Sequence, residues 1–353
     1  MRILVLYILL SSIIVLNNCG GKEQSASVVD TDMPVLWENL PQIKSASFDG
    51  PDRAWLITIK GKLLHTKDGG YNWSNQSQPP IGKLEVVSFI DSLRGWAVNE
   101  SGQVWHSGDG GQSWEAIGNV VSGDERLYLP EQLIFLDELH GWIIDSFSVW
   151  CTGDGGTTWK RCLTSKNTTP ANNCQPINGV FISLAMGWVT CTDGIVYRTS
   201  DGGNSWHSQV VDSTRTSFWS VHFINTHTGW VNGWPDGGIY RTDDGGRIWH
   251  KQLNTDEEIY INSVYFMNGD DGWAVGWKGS DNPNEDKRTG VILHTTNGGG
   301  KWQPVEVGGD APFFSRIYFS DMQHGWLFAR DDVYRSEDGG KTWRISLRLP
   351  PSK

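Results

Sequence analysis

One short pattern, repeated seven times, constrains this chain more than any other feature. "TKDGGYNW" at 66–73 returns as "SGDGGQSW" (107–114), "TGDGGTTW" (152–159), "TSDGGNSW" (199–206), "TDDGGRIW" (242–249), "TTNGGGKW" (295–302) and "SEDGGKTW" (336–343). The common form is Ser/Thr-x-Asp-x-Gly-x-x-Trp, with Asn297 in place of Asp in the sixth copy. Successive copies start 41 to 53 residues apart. A period of that length denotes a repeat architecture, not a set of phosphate-binding loops.

A second motif keeps the same period. Phe48, Phe89, Phe135, Phe181, Phe223, Phe266 and Phe319 are each followed seven residues later by a tryptophan: Trp55, Trp96, Trp142, Trp188, Trp230, Trp273 and Trp326. All but the first of these follow a glycine. Between the motifs, short alternating segments predict three strands and the start of a fourth, called A to D here. Seven such units predict an all-β chain, a seven-bladed β-propeller of four-stranded antiparallel blades. One blade alone has nothing to pack its aromatic face against. That accounts for the copy number, and for 14 of the 20 tryptophans falling at the two motif positions.

The repeated stretch is then the C–D turn of each blade. Its glycines supply the positive φ angles of a tight hairpin. Asp68, Asp109, Asp154, Asp201, Asp244, Asn297 and Asp338 are expected to hold backbone N–H groups in the turn. The box tryptophan packs between strands with its N–H free for a carbonyl. Seven equivalent side chains around a ring do not converge on one metal or catalytic site.

Formal net charge is −11. Nucleic-acid binding needs a basic stripe, so it is excluded as an expectation. Residues 1–18 read as a lipoprotein-type signal: Arg2, then an apolar run from Ile3 to Leu16 that is too short to span a bilayer. Cys19 is the candidate lipidation site, with ordinary signal cleavage nearby as the alternative. Residues 19–33 read as a flexible tether and 34–353 as the propeller. Cys151, Cys162, Cys174 and Cys191 include no CxxC pair and no histidine cluster accompanies them, so no metal is expected. In an exported chain they allow two disulfides. Pairs 151–162 and 174–191 look reachable, and the other two connectivities stay open.

The "VxFxDxxxGWAVG…G-x-I/V-x-x-T-x-DGG-x-x-W" register resembles the Asp-box (BNR-repeat) propellers, and among them the photosystem II stability/assembly factor family. The resemblance covers residues 35–349. It implies an exported, non-enzymatic propeller without a cofactor that binds a membrane protein or its assembly intermediates. In photosynthetic organisms the implied target is a reaction-centre subunit. The photosynthetic members present a basic patch. Here the arginines are scattered, and Arg198, Arg241 and Arg335, just before the box, are expected to cover apolar surface.

Loop lengths suggest where a partner sits. The A–B spacing is constant and the C–D turn is the box, so length variation falls on the opposite face, that of the B–C turns and D–A crossovers. Motif Trp to box residue is 12 to 14 residues in six blades but 24 in blade 6, because of "KGSDNPNEDKRTG" at 278–290. Variable loops on a rigid scaffold commonly carry function. Trp219, Trp234 and Trp277 map to this face on blades 5 and 6. They read either as an aromatic hot spot or as a satellite cluster beneath the insertion. Glu85, Glu131 and Asn262 share the position of Trp219 and should ring the channel mouth. The expected partner is a membrane or envelope protein held by a lipid-anchored monomer, with a glycan as the alternative. A sialidase-like hydrolase would need an arginine cluster and a Tyr–Glu nucleophile. "SRIYF" (315–319) is the nearest segment, and it lies inside a strand. Both "VLWENL" (35–40) and "TWRISLRL" (342–349) are candidates for the outer edge of blade 7.

Overall fold

The computed structural model describes residues 42–350 apart from 77–81, 122–126, 165–167, 170–174, 213–215, 235–237, 254–258, 280–287 and 307–312. It is all-β, a propeller of seven antiparallel sheets. Strand A of successive blades spans Ile43–Asp49, Leu84–Phe89, Pro130–Phe135, Pro176–Phe181, Ser217–Phe223, Ile259–Phe266 and Phe314–Phe319. Each pairs with strand B, B with C, and C with D. Strands A of consecutive blades, from the first to the seventh, pack on one another, which makes them the innermost strands around a central channel. Blade 4 departs from the four-strand expectation. Thr168–Thr169, in the crossover before it, pair parallel to its strand D, Trp206–Val210. The outer strand of blade 7 is Arg344–Arg348. The rival segment 35–40 lies outside the described residues, as do Cys19 and Cys174.

The two sequence motifs meet across blade boundaries. The phenylalanine of one blade stacks on the motif tryptophan of the blade before it. Phe89 lies on Trp55, Phe135 on Trp96, Phe181 on Trp142, Phe223 on Trp188 and Phe266 on Trp230, with centroids 3.6–4.1 Å apart and planes within 14°. Phe319 sits on Trp273 at 4.6 Å and a wider tilt. From strand C, the residue before the box hydroxyl packs on the same indole. His65 and His294 lie on Trp55 and Trp273, and the Arg241 and Arg335 guanidiniums lie over Trp230 and Trp326. Large aromatic area is thus buried at each boundary with favourable ring geometry.

This stacking explains the glycine before the tryptophan. A Cβ on Gly141 would lie 2.7 Å from the Phe135 ring, and one on Gly229 would lie 2.5 Å from Phe223. Blade 1 carries Ala54 there instead. Its Phe48 stacks on Tyr318 at 4.2 Å and meets Trp326 only at 5.7 Å and 39°. The last boundary is reinforced by polar contacts. The Arg335 Nη2 donates to the Pro51 carbonyl at 2.9 Å, and the Ser346 hydroxyl donates to the Gly70 carbonyl at 2.7 Å.

The box turns are held by side-chain hydrogen bonds. In blade 4, Thr199 Oγ1 donates to Asp201 Oδ1 and accepts the Gly203 N–H, while the same carboxylate accepts the Ser205 N–H and hydroxyl. Both box glycines have positive φ, 72° and 97° in this copy. Asn297 reproduces part of this by accepting from Thr295 and the Lys301 N–H. Burial pushes the carboxyls of Asp109, Asp154, Asp201, Asp244 and Asp338 up, but these hydrogen bonds outweigh it and hold them below the ordinary range. At Asp68 the Asn72 N–H leads, and the carboxyl is drawn down to about 2. The turn also serves the blade before it. In five blades its first glycine carbonyl accepts the motif indole N–H, as Gly110 does from Trp55 at 2.9 Å and Gly245 from Trp188 at 2.9 Å, whereas the buried indole N–H groups of Trp273 and Trp326 have no such partner. These aspartates are therefore committed to the frame.

Candidate functional site

Strand A of every blade is bulged at one register position, four residues before its phenylalanine. The extra residues are Lys44, Glu85, Glu131, Ile177, Trp219, Asn262 and Ser315. A bulge leaves one residue outside the ladder and re-aims its side chain. Since strand A is innermost and starts at the D–A crossover, these seven residues ring the channel mouth on the loop-variable face. The motif spacing singled out Glu85, Glu131, Trp219 and Asn262. The same spacing applied to all blades also finds Lys44, Ile177 and Ser315.

The mouth is charged on one side. Glu85 is buried in an ion pair with Lys44 of the preceding blade and lies 3.3 Å from Lys83. Glu131, one blade further, is enclosed by the surrounding strands yet keeps part of its surface open. Burial raises its pKa, Lys44 and Arg316 pull it back, and Asp145 adds to the rise. Burial likewise lowers the Lys44 ammonium, against the pull of Glu131. Asp145 is fully buried and also raised by burial, but it is satisfied. It accepts from the Trp150 indole N–H at 3.0 Å and from the N–H groups of Tyr128 and Phe147. On the far side, the Asn262 amide donates to the Phe314 carbonyl at 2.7 Å, bridging blades 6 and 7.

The three tryptophans are placed differently from one another. Trp219 and Trp234 are half-buried on one hairpin, where Trp234 pairs with Ser217 beside the bulge. Trp277 is half-buried in blade 6, stacks on Tyr260 at 4.1 Å and carries the Arg288 guanidinium 5.5 Å over its ring. Among the described residues no ring contact joins the three. Tyr260 lies outside the tryptophan pattern, so no repeat motif marks it. Its strand, two residues longer at its start than most strands A, is the signal that marks it. Most of the insertion, 280–287, is outside the described residues.

In blade 3, Cys151 and Cys162 lie on adjacent strands with their thiols in hydrogen-bonding contact. They share a packed cluster with Cys191 of blade 4. Among the described residues no group of three or more His, Cys, Asp or Glu side chains is placed to hold a metal ion, and no helix is long and apolar enough to cross a membrane.

Comparison with known proteins places this architecture. Residues 37–127 match the family described as photosynthesis system II assembly factor YCF48. The photosystem II assembly lipoprotein Ycf48 of Picosynechococcus sp. is 33% identical over 55 residues, which is 15% of this chain and 16% of that protein. A solved structure of YCF48 bound to D1 peptide superposes over 85% of this chain and 94% of that one, with a TM-score of 0.65 and 18% identity. Residues 37–127, about a quarter of this chain, thus resemble the YCF48 family, and the whole chain folds as an Asp-box propeller. The frame itself is shared more widely: a GH74 xyloglucanase from Xanthomonas campestris superposes over 88% of this chain and 55% of that one, with a TM-score of 0.64 and 12% identity. The likeness to the YCF48 family is therefore carried by the match over residues 37–127, and the fold alone by the solved structures.

Proposed function

We propose that this chain is an exported, lipid-anchored and non-enzymatic scaffold that holds a membrane or envelope protein on its loop-variable face. The carrying observation is the division of labour between the two faces. The box face is consumed by the frame. The opposite face gathers the bulge ring, three half-buried tryptophans and every variable loop. A YCF48 structure with a bound D1 peptide supports a peptide or protein as the occupant. In this reading Cys19 carries the lipid, residues 19–33 form the tether, and Cys151 and Cys162 form a disulfide once exported.

The hydrolase alternative fares less well on chemistry. Glycoside hydrolysis needs two carboxyl groups facing one bond. Among the described residues the carboxyls raised by burial are Glu131 and Asp145, and Asp145 is tied down by Trp150 and backbone N–H groups. Crosslinking with mass spectrometry on membranes carrying the tethered protein tests the proposal. The expected result is crosslinks from blades 5 and 6 to one membrane protein. Retention of every partner after Trp219, Trp234 and Trp277 are together changed to Ala, with an unchanged circular dichroism spectrum, refutes the placement. Binding on a glycan array with no protein crosslink favours the carbohydrate reading.

A further inference from the structure

The channel mouth holds one acidic group that the frame does not use. Every other charged member of the bulge ring is engaged. Lys44 and Glu85 pair with each other, and Lys83 supports Glu85. Nearby Asp145 is satisfied by its own blade. Glu131 has neither a hydrogen bond nor an ion pair among the described residues, although it is closely enclosed. Its electrostatic neighbours come from blade 1 (Lys44), blade 7 (Arg316) and blade 3 itself (Asp145). Blades 1 and 7 do not adjoin blade 3, so these groups sense one another across the channel. That places the Glu131 carboxyl toward the bore.

The Glu131 carboxylate oxygens stay accessible and take no donor from the described residues, so a donor can reach them from outside. The surrounding strands leave it room on the open side. We propose that Glu131 is the anchor point for a basic side chain, arginine or lysine, that a partner protein inserts into the channel mouth. The inference rests on the scaffold reading and names the chemistry the partner brings. An arginine fits best, since its fork of N–H donors meets both oxygens of one carboxylate. The nearby cations do not fill this role: Lys44 already has Glu85, and Arg316 acts from across the bore. A net charge of −11 favours the approach of a basic partner. The neutral rim residues Trp219, Ile177 and Asn262 suit the stem of the incoming side chain.

The test uses the full chain and an acetylated, amidated tri-arginine peptide, titrated by calorimetry at low salt. Its tri-citrulline counterpart has the same shape without charge. The wild type should bind tri-arginine, and Glu131→Gln should weaken it at least about tenfold. Glu337→Gln, a charge removed from the box face, should leave binding within about twofold. Tri-citrulline should not bind. Equal binding by Glu131→Gln, or equal losses in the two variants, overturns the inference by reducing the attraction to net charge. Binding of a tri-glutamate peptide in place of tri-arginine overturns it in favour of an anion site. Membrane crosslinking of Glu131→Gln separates this inference from the scaffold reading. Undiminished capture by the variant ends the anchor role and leaves the scaffold standing. If the wild type captures nothing, the scaffold reading falls and the peptide titration alone judges the mouth.

Discussion

Gly229→Ala is the most direct probe of the boundary geometry. The new Cβ would stand 2.5 Å from Phe223 Cδ1 and 2.6 Å from Cε1 and Cγ. Phe223 is 4% exposed and is held at 3.6 Å and 9° against Trp188, so its ring has no space to retreat into. Forcing a methyl into a packed core costs about 1–3 kcal/mol. Gly229 is not a positive-φ glycine, so alanine recovers about 0.4–1 kcal/mol through the unfolded chain. The net expectation is a loss of about 1–2 kcal/mol, or a fall in Tm of about 2–3 °C at this size. Scanning calorimetry of the wild type, Gly229→Ala, Phe223→Leu and the double variant measures it. Leucine at 223 gives the methyl room, so the cost of Gly229→Ala should shrink in that background. An unchanged Tm in the single variant, or the same cost in both backgrounds, would refute the clash as the reason for glycine.

Three further expectations follow from the same contacts. Burial draws His222, whose Nε2–H donates to the Phe266 carbonyl, down to about 4, and burial also lowers His65, His106 and His294. Depressed folded-state values mean the unfolded chain binds more protons, so this stability is present above about pH 6.5 and is lost as pH falls toward about 4. His222 contributes at most about 3 kcal/mol of that change. Glu131 and Asp145 act with the opposite sign, so the measurement is the difference in urea midpoint between the wild type and His222→Gln across pH 7 to 4.5, and a constant difference rejects it. Asp201→Ala should cost about 1–2 kcal/mol and Asp201→Asn less, because Asn297 already works in the sixth box; equal losses in urea melts would deny the carboxylate's turn-holding role. Under oxidising conditions non-reduced peptide mapping should return a Cys151–Cys162 crosslink, and Cys151→Ser should then lower stability by about 2–4 kcal/mol. Two separate thiols after oxidation would end that assignment.

The frame was legible in the sequence because it is written seven times. The box hydroxyl, carboxylate, glycines and tryptophan each occupy a fixed turn position, and averaging over copies separates structure from accident. Which phenylalanine meets which tryptophan was not legible. The seven-residue spacing suggests a contact within one blade, whereas the stacked partner belongs to the blade before. The bulge was hidden for a related reason. One extra residue in every strand A leaves the motif spacing unchanged, so alternation alone does not reveal that residue's new direction. The charged mouth was only half visible, since Glu85 and Glu131 stood out as rim residues but the spacing says nothing of Lys44 being the cation that pairs with Glu85. The fifth strand in blade 4 uses two residues of a crossover, too few to leave a period.

The contacts between consecutive blades are made by residues the chain brings together in order, but the contact between the last and first blades is not. That seam has the loosest of the motif ring contacts, Phe48 against Trp326 at 5.7 Å, and depends on Arg335 and Ser346 reaching across to Pro51 and Gly70. The ring is in effect a bracelet, and its clasp joins residues almost 300 positions apart in sequence. Closing the clasp is the last step open to a growing chain, because its two halves lie in the first and last blades.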